Sequence, residues 1–240
     1  MASRSNALHE RFYTALISGD RAGAREVLDE VFTADAPAEK VASHLIWPVL
    51  DQLQSFRRAD QVSALSYNYA TRLLRSLTDQ LQLRYEQKES RDSRVLLVCG
   101  AEESEELAGQ LSADLLEADG YTVFFTGGGI ANDEIVNQLA ELKADKLVVF
   151  GAIPATVPQT RLLIDRLHDI GACEDVQIIV GGGVFNRADG LAEEIGADLW
   201  ALDPIDLVDV MAQQPDRRMT ADQRTVGRRR KQAPAARKAA

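Results

Sequence analysis

The hydrophobic period of this chain changes once, near residue 93, and that change constrains the fold more than any single motif. Before it, apolar residues recur only at helical spacing. Leu8, Phe12, Ala15 and Leu16 define a first helix capped by Ser5 or Asn6, and Gly19 then Asp20 close it and open a second that carries Ala24, Val27, Leu28 and Val31. Asp35 and Pro37 open a third helix through Val41, Leu45, Ile46, Val49, Leu50 and Leu53, which Pro48 should kink by removing an N–H. The fourth runs from about Asp60 to Tyr85, with Val62, Leu65, Tyr69, Leu73, Leu74, Leu77 and Leu81 inward. Residues 6–85 therefore predict a four-helix bundle, and the polar stretch 86–93 predicts a linker.

After residue 93, short apolar runs alternate with amphipathic stretches. Strands are expected at 94–99, 121–125, 146–150, 176–180 and 199–202, with helices between them and a last helix from Pro204 to Gln213. The spacing predicts an α/β unit over 94–214, a five-stranded doubly wound parallel sheet of flavodoxin-like type, covered on both faces. Ligands on such sheets bind beyond the C-terminal strand ends. There this sequence places Gly100, Gly127 to Gly129, Gly151 and Gly181 to Gly183, residues that let a ligand approach the backbone.

Charge divides the chain differently. Residues 216–240 carry a surplus of seven positive charges, and the rest a surplus of seventeen negative ones, for a net charge of −10. The acidic body is unsuited to general nucleic-acid binding. The tail, 215–240, lacks apolar periodicity and reads as disordered, with Arg228 to Lys231 offering a weak contact to nucleic acid or an acidic partner, or folding back on the body. No apolar run spans a membrane and no N-terminal signal core is visible. Cys99 and Cys173 read as free thiols, so a reducing, cytoplasmic setting is expected.

Known site motifs mostly fail. The first turn of the α/β unit, Gly100-Ala-Glu-Glu-Ser-Glu-Glu, has one glycine and four carboxylates, which would repel a pyrophosphate. The acidic run reads as a solvated helix start that suits the helix dipole. His168 and His9 read as surface residues and His44 as bundle-facing or at the bundle boundary, so neither a His-rich metal site nor a nucleophile–His pair is expected.

The layout resembles the cobalamin-binding module of methionine synthase, corrinoid methyl carriers and light-responsive regulators. The likeness covers residues 7 to 213. It implies that the bundle caps one face of a corrin while the sheet domain takes in the nucleotide tail. In that family a D-x-H-x-x-G turn supplies the cobalt-ligating His. Counting back from Gly120, Glu103 stands at the Asp, Glu105 at the His and Ala108 at the Gly. The S-x-L after strand three becomes Gly151-Ala152-Ile153, and the following G-G persists as Gly181-Gly182. The closing strand, with Trp200, keeps the family's Gly-Ala-Asp and aromatic pattern. In the bundle, Arg57 or Phe56 stands at a family Trp and Tyr67-Asn68 at a Glu-His pair. A carboxylate is a poor substitute for imidazole on cobalt. The resemblance therefore implies a non-enzymatic sensor or transcriptional regulator that binds cobalamin without a protein His, or binds haem or a bilin, and that works with a signalling protein partner. The alternatives are a ligand-free signalling or scaffold module and a corrinoid carrier for a methyltransferase.

Overall fold

The computed structural model describes residues 2–151, 153–171 and 175–219. Ala152, Cys173 and the Arg228 to Lys231 run lie outside the described residues. The N-terminal helices are α1 (Ala2–Ser18), α2 (Arg21–Thr33), α3 (Ala38–Val41), α4 (Trp47–Arg58) and α5 (Ala64–Gln82). A π turn, Ala42–Ile46, joins α3 to α4, so these two make one bent rod and the bundle has four members. Gly19 takes φ +75° and the Asp20 side chain accepts from the Gly23 N–H, as the sequence implies.

The expected kink at Pro48 is a widened turn just before it. Proline cannot donate to the His44 carbonyl one turn back, and the π turn spreads the backbone there. His9 Nε2 on α1 bonds that carbonyl, while His44 Nδ1 meets the Ser43 hydroxyl at 2.6 Å. His9 is thus half-buried against α1's neighbour, not a free surface residue, and His44 is exposed, not bundle-facing.

Three helix boundaries differ from expectation. The first helix runs through Ser5 and Asn6 to Ala2, because nothing between Ala2 and Asn6 breaks it and a cap preference is worth only about 1 kcal/mol. Asp35 and Asp60 cap nothing: both adopt left-handed backbone, φ 57° and 55°, in the turns before α3 and α5. Pro37 precedes α3, and Ser63 caps α5 by accepting from the Ser66 N–H. Leu73, Leu74, Leu77 and Leu81 face inward as expected, together with Ala70, whereas Leu65 in the first turn of α5 is exposed and Tyr69 lies on the surface against Gly19.

The second half alternates as expected: β1 (Arg94–Cys99), α6 (Glu103–Ala118), β2 (Thr122–Gly127), α7 (Asn132–Leu142), β3 (Lys146–Phe150), α8 (Val157–Ile170), β4 (Gln177–Gly181), α9 (Leu191–Glu194), β5 (Leu199–Ala201) and α10 (Pro204–Gln213). All pairings are parallel, in the order β2-β1-β3-β4-β5. The helix expected over 188–195 is shorter, preceded by a 3-10 turn at Gly183–Asn186.

Alternation along each strand feeds two cores. Leu96, Val98, Leu147, Val149, Ile178 and Val180 pack with α7, α8 and α9. Val95, Leu97, Val148, Phe150 and Ile179 pack with α6 and α10, and this second cluster is continuous with the interior of the bundle. The bundle is therefore seated on the sheet domain through α6.

Below the sheet, the chain after α10 is pinned as far as Met219. Lys146 Nζ, buried under the strands, donates to Gln177 Oε1 at 2.6 Å and to the Pro215 carbonyl at 3.2 Å. The Met219 N–H donates to Asp198 at 2.7 Å. The start of the segment expected to be disordered is thus ordered by these bonds. Among the described residues no helix is long and apolar enough to cross a membrane.

Candidate functional site

After β1 the chain crosses to one face of the sheet through α6, and after β3 to the other through α8. The crevice between those loops is the topological switch point, where ligands on this sheet order bind. Here one side chain spans it. Glu105, in the first turn of α6, is 1% exposed. One carboxylate oxygen accepts from the Glu102 N–H at 3.1 Å and the other from the Ile153 N–H, beyond β3, at 2.9 Å. The carboxylate lies against Gly100, where a Cβ would meet it at 2.1 Å. Burial raises the Glu105 pKa above the usual carboxylate range, and the two backbone N–H groups oppose that shift. The expected solvated glutamate is instead an internal latch between two rim loops.

The neighbouring carboxylates face the bundle. Arg75 of α5 pairs with Glu103 at 2.8 Å and Glu106 at 3.0 Å. Gln54 Nε2 of α4 donates to the Ser104 carbonyl at 3.2 Å. These contacts hold the bundle down on the start of α6.

Beside that clamp, a cleft of about 250 Å³ opens between bundle and rim. Its bundle wall carries Gln54, Arg57, Arg58 and Tyr67, and its rim carries Glu102, Ser104, Glu105, Gly151, Ile153, Pro154, Gly183 and Arg187. Gly151 takes φ +83° and lies against the Glu105 backbone, so a side chain there is strained and crowded. The Arg57 guanidinium lies 5.7 Å from the centre of the Tyr67 ring. The Tyr67 hydroxyl pKa is raised, chiefly by burial.

Of the residues singled out from sequence, Tyr67, Glu105, Gly151 and Ile153 meet at this cleft, and Glu103 lies beside it in the Arg75 clamp. Four others do not line it. Phe56 turns into the bundle, edge-on to Tyr13 at 5.8 Å, because it points one residue around the helix from Arg57. Trp200 packs on the opposite face of the sheet with the α7–α9 core, as strand alternation requires. Gly181 and Gly182 lie under the Phe150 ring, which a Cβ at either would meet within 3.0 Å. The Trp47 ring then packs edge-on to Phe150 at 6.2 Å. Arg58, Arg187 and Gln54 were not anticipated. The Arg57-Arg58 pair reads from sequence as an ordinary basic helix end, and Arg187 follows a glycine run with no signal of its own.

A second slot, about 200 Å³, lies on the other side of β1 beside Cys99 and Asn132. Burial, with Glu106 and Glu105 nearby, pushes the Cys99 thiol up to about 12, so it is no thiolate nucleophile near neutral pH. Among the described residues no group of His, Cys, Asp and Glu is arranged to hold a metal ion.

No family model matches the chain. Two monomethylamine corrinoid proteins of Methanosarcina barkeri are each 22% identical to it over 204 residues, 81% of this chain and 91% of theirs. A dimethylamine corrinoid protein of Methanosarcina acetivorans is 29% identical over 87 residues, 36% of this chain and 40% of that one. The solved structure of Methanosarcina barkeri monomethylamine corrinoid protein superposes with a TM-score of 0.73 at 19% identity, covering 87% of this chain and 98% of that one. The chain has the fold of the cobalamin-binding module. Its sequence relatives are corrinoid proteins.

The residues of this module do not fit a corrinoid ligated by a protein imidazole. Glu105, at the position the resemblance gives to that imidazole, has both oxygens committed to backbone N–H groups. The Gly181-Gly182 pair, where a ligand could approach the backbone, is covered by Phe150.

Proposed function

We propose that this module holds a corrinoid between its bundle and its sheet rim, with no lower ligand from the protein, so that the cofactor keeps its own base. The cleft carries this reading: it lies between the two halves of a fold shared with a monomethylamine corrinoid protein, and it gathers four sequence-derived candidates. Its volume falls below the roughly 300–1,000 Å³ of ligand pockets, so uptake needs the bundle to move off α6 at the Arg75 clamp. The chain's contributions are contact and exclusion of water by Tyr67, Gly151 and Ile153, while Glu105 keeps the rim loops joined beneath.

A second reading is favoured by the relatives, which are named for methylamine corrinoid chemistry: the held corrinoid serves a methyl-transfer partner enzyme. The relatives give no support to a sensor or regulator role, to haem or to a bilin. Gel filtration of the protein with hydroxocobalamin tests the shared core of both readings. The corrinoid's visible absorption should elute with the protein. Elution of all the colour at the position of free cobalamin contradicts binding.

A further inference from the structure

Three arginines stand around the cleft of a body that is otherwise strongly acidic. Arg57 and Arg58 end α4 on the bundle side, and Arg187 follows the 3-10 turn on the rim side. The dipole at the end of α4 accounts for cations on that wall, but not for a third on the opposite wall. None of the three forms an ion pair with a carboxylate among the described residues. Arg57 spends Nη1 on the Val62 carbonyl at 3.5 Å, and Arg187 spends Nη1 on the Gly183 carbonyl at 2.7 Å. Each guanidinium has five N–H donors, so most remain available. Arg58 and Arg187 are close enough to repel: burial first, then Arg58, lowers the pKa of Arg187, with only Asp51 opposing. Like charges held together across a cleft lower the cost of binding an anion between them.

Resting on the reading that this cleft takes the cofactor, we infer that Arg57, Arg58 and Arg187 form a phosphate-binding mouth that recognises a phosphate-bearing ligand and closes bundle and rim upon it. Guanidiniums approaching from two walls suit a tetrahedral oxyanion, whose oxygens point in more directions than those of a planar carboxylate. Of the acidic run, Glu103 and Glu106 are drawn away from the cleft by their pairing with Arg75 and Glu105 is turned inward, which leaves Glu102 as the one exposed carboxylate of that run on the cleft wall, against three arginines. In a corrinoid, the group concerned is the phosphate of the nucleotide arm.

The test compares cobinamide phosphate with cobinamide, and adds inorganic phosphate alone, for the full chain and for the Arg58→Gln/Arg187→Gln double variant. Both changed residues are exposed, and an unaltered melting temperature without ligand confirms the variant's fold. The expected result is binding of cobinamide phosphate on the order of tenfold tighter than cobinamide, with the difference lost in the variant. Inorganic phosphate at low ionic strength should raise the melting temperature of the wild type and not of the variant. If neither corrinoid binds but that phosphate difference appears, the mouth stands, the cofactor reading fails, and the source is a free phosphate. Equal affinity for the two corrinoids, or an equal response of wild type and variant to phosphate, overturns the inference and leaves the cofactor reading intact.

Discussion

At the scale of single residues, α6 turns two carboxylates inward, Glu105 at the sheet rim and Asp114 further down the helix. Glu105 is held by two backbone N–H groups, and Asp114, about two and a half turns further along α6, is 5% exposed with one oxygen lacking a partner among the described residues. Burial, reinforced by Glu117 and Asp79, raises the Asp114 pKa to about 7. The nearby Tyr85 hydroxyl is also buried without a partner among the described residues, and its pKa is raised by burial, Asp114 and Glu39. In this case the unfolded chain gives up its proton at lower pH than the folded one. Stability therefore falls as pH rises from about 4 to about 7 and levels off above that. Asp114→Asn should unfold like the wild type at pH 4 and be more stable at pH 8, by on the order of 2–4 kcal/mol. Denaturant melts across that range check this; parallel pH profiles for the two proteins contradict it. The inward turn of Glu105 was partly legible, since it shares a helical face with Ala108 and Ser112, both buried. Four carboxylates within five residues masked that signal, because each taken alone suits a helix N-terminus.

At the scale of elements, periodicity carried most of the fold. The strand cores and the element order follow from apolar spacing, and right-handed, short connections leave few sheet orders open to them. Boundaries were harder. Asp35 and Asp60 are good cap residues that also tolerate left-handed backbone, and here the turn claimed them. The π turn before Pro48 depends on a partner, His9, that lies 35 residues earlier in the chain, so no local pattern shows it. This bond gives a clean double-mutant cycle. His9→Ala leaves the His44 carbonyl short of a donor and should cost about 1 kcal/mol. In a Pro48→Ala background the new N–H can serve that carbonyl, and the same change should cost distinctly less. Additive effects in chemical denaturation contradict the coupling.

At the scale of the whole molecule, bundle and sheet domain share one apolar interior, with a polar clamp at α6 and a cleft beside it. The layout was legible because a helix-only half followed by an alternating half leaves few architectures. The cleft's chemistry was not. Arg58 and Arg187 are 129 positions apart, and Phe150 over Gly181-Gly182 depends on the register between β3 and β4. The central claim is that a corrinoid held here keeps its own base. Electron paramagnetic resonance of unlabelled cob(II)alamin bound to uniformly 15N-labelled protein tests it directly, since 14N and 15N split the cobalt lines differently. The account predicts triplet splitting from the 14N of the cofactor's own base. Doublet splitting, from 15N of a protein side chain, contradicts it.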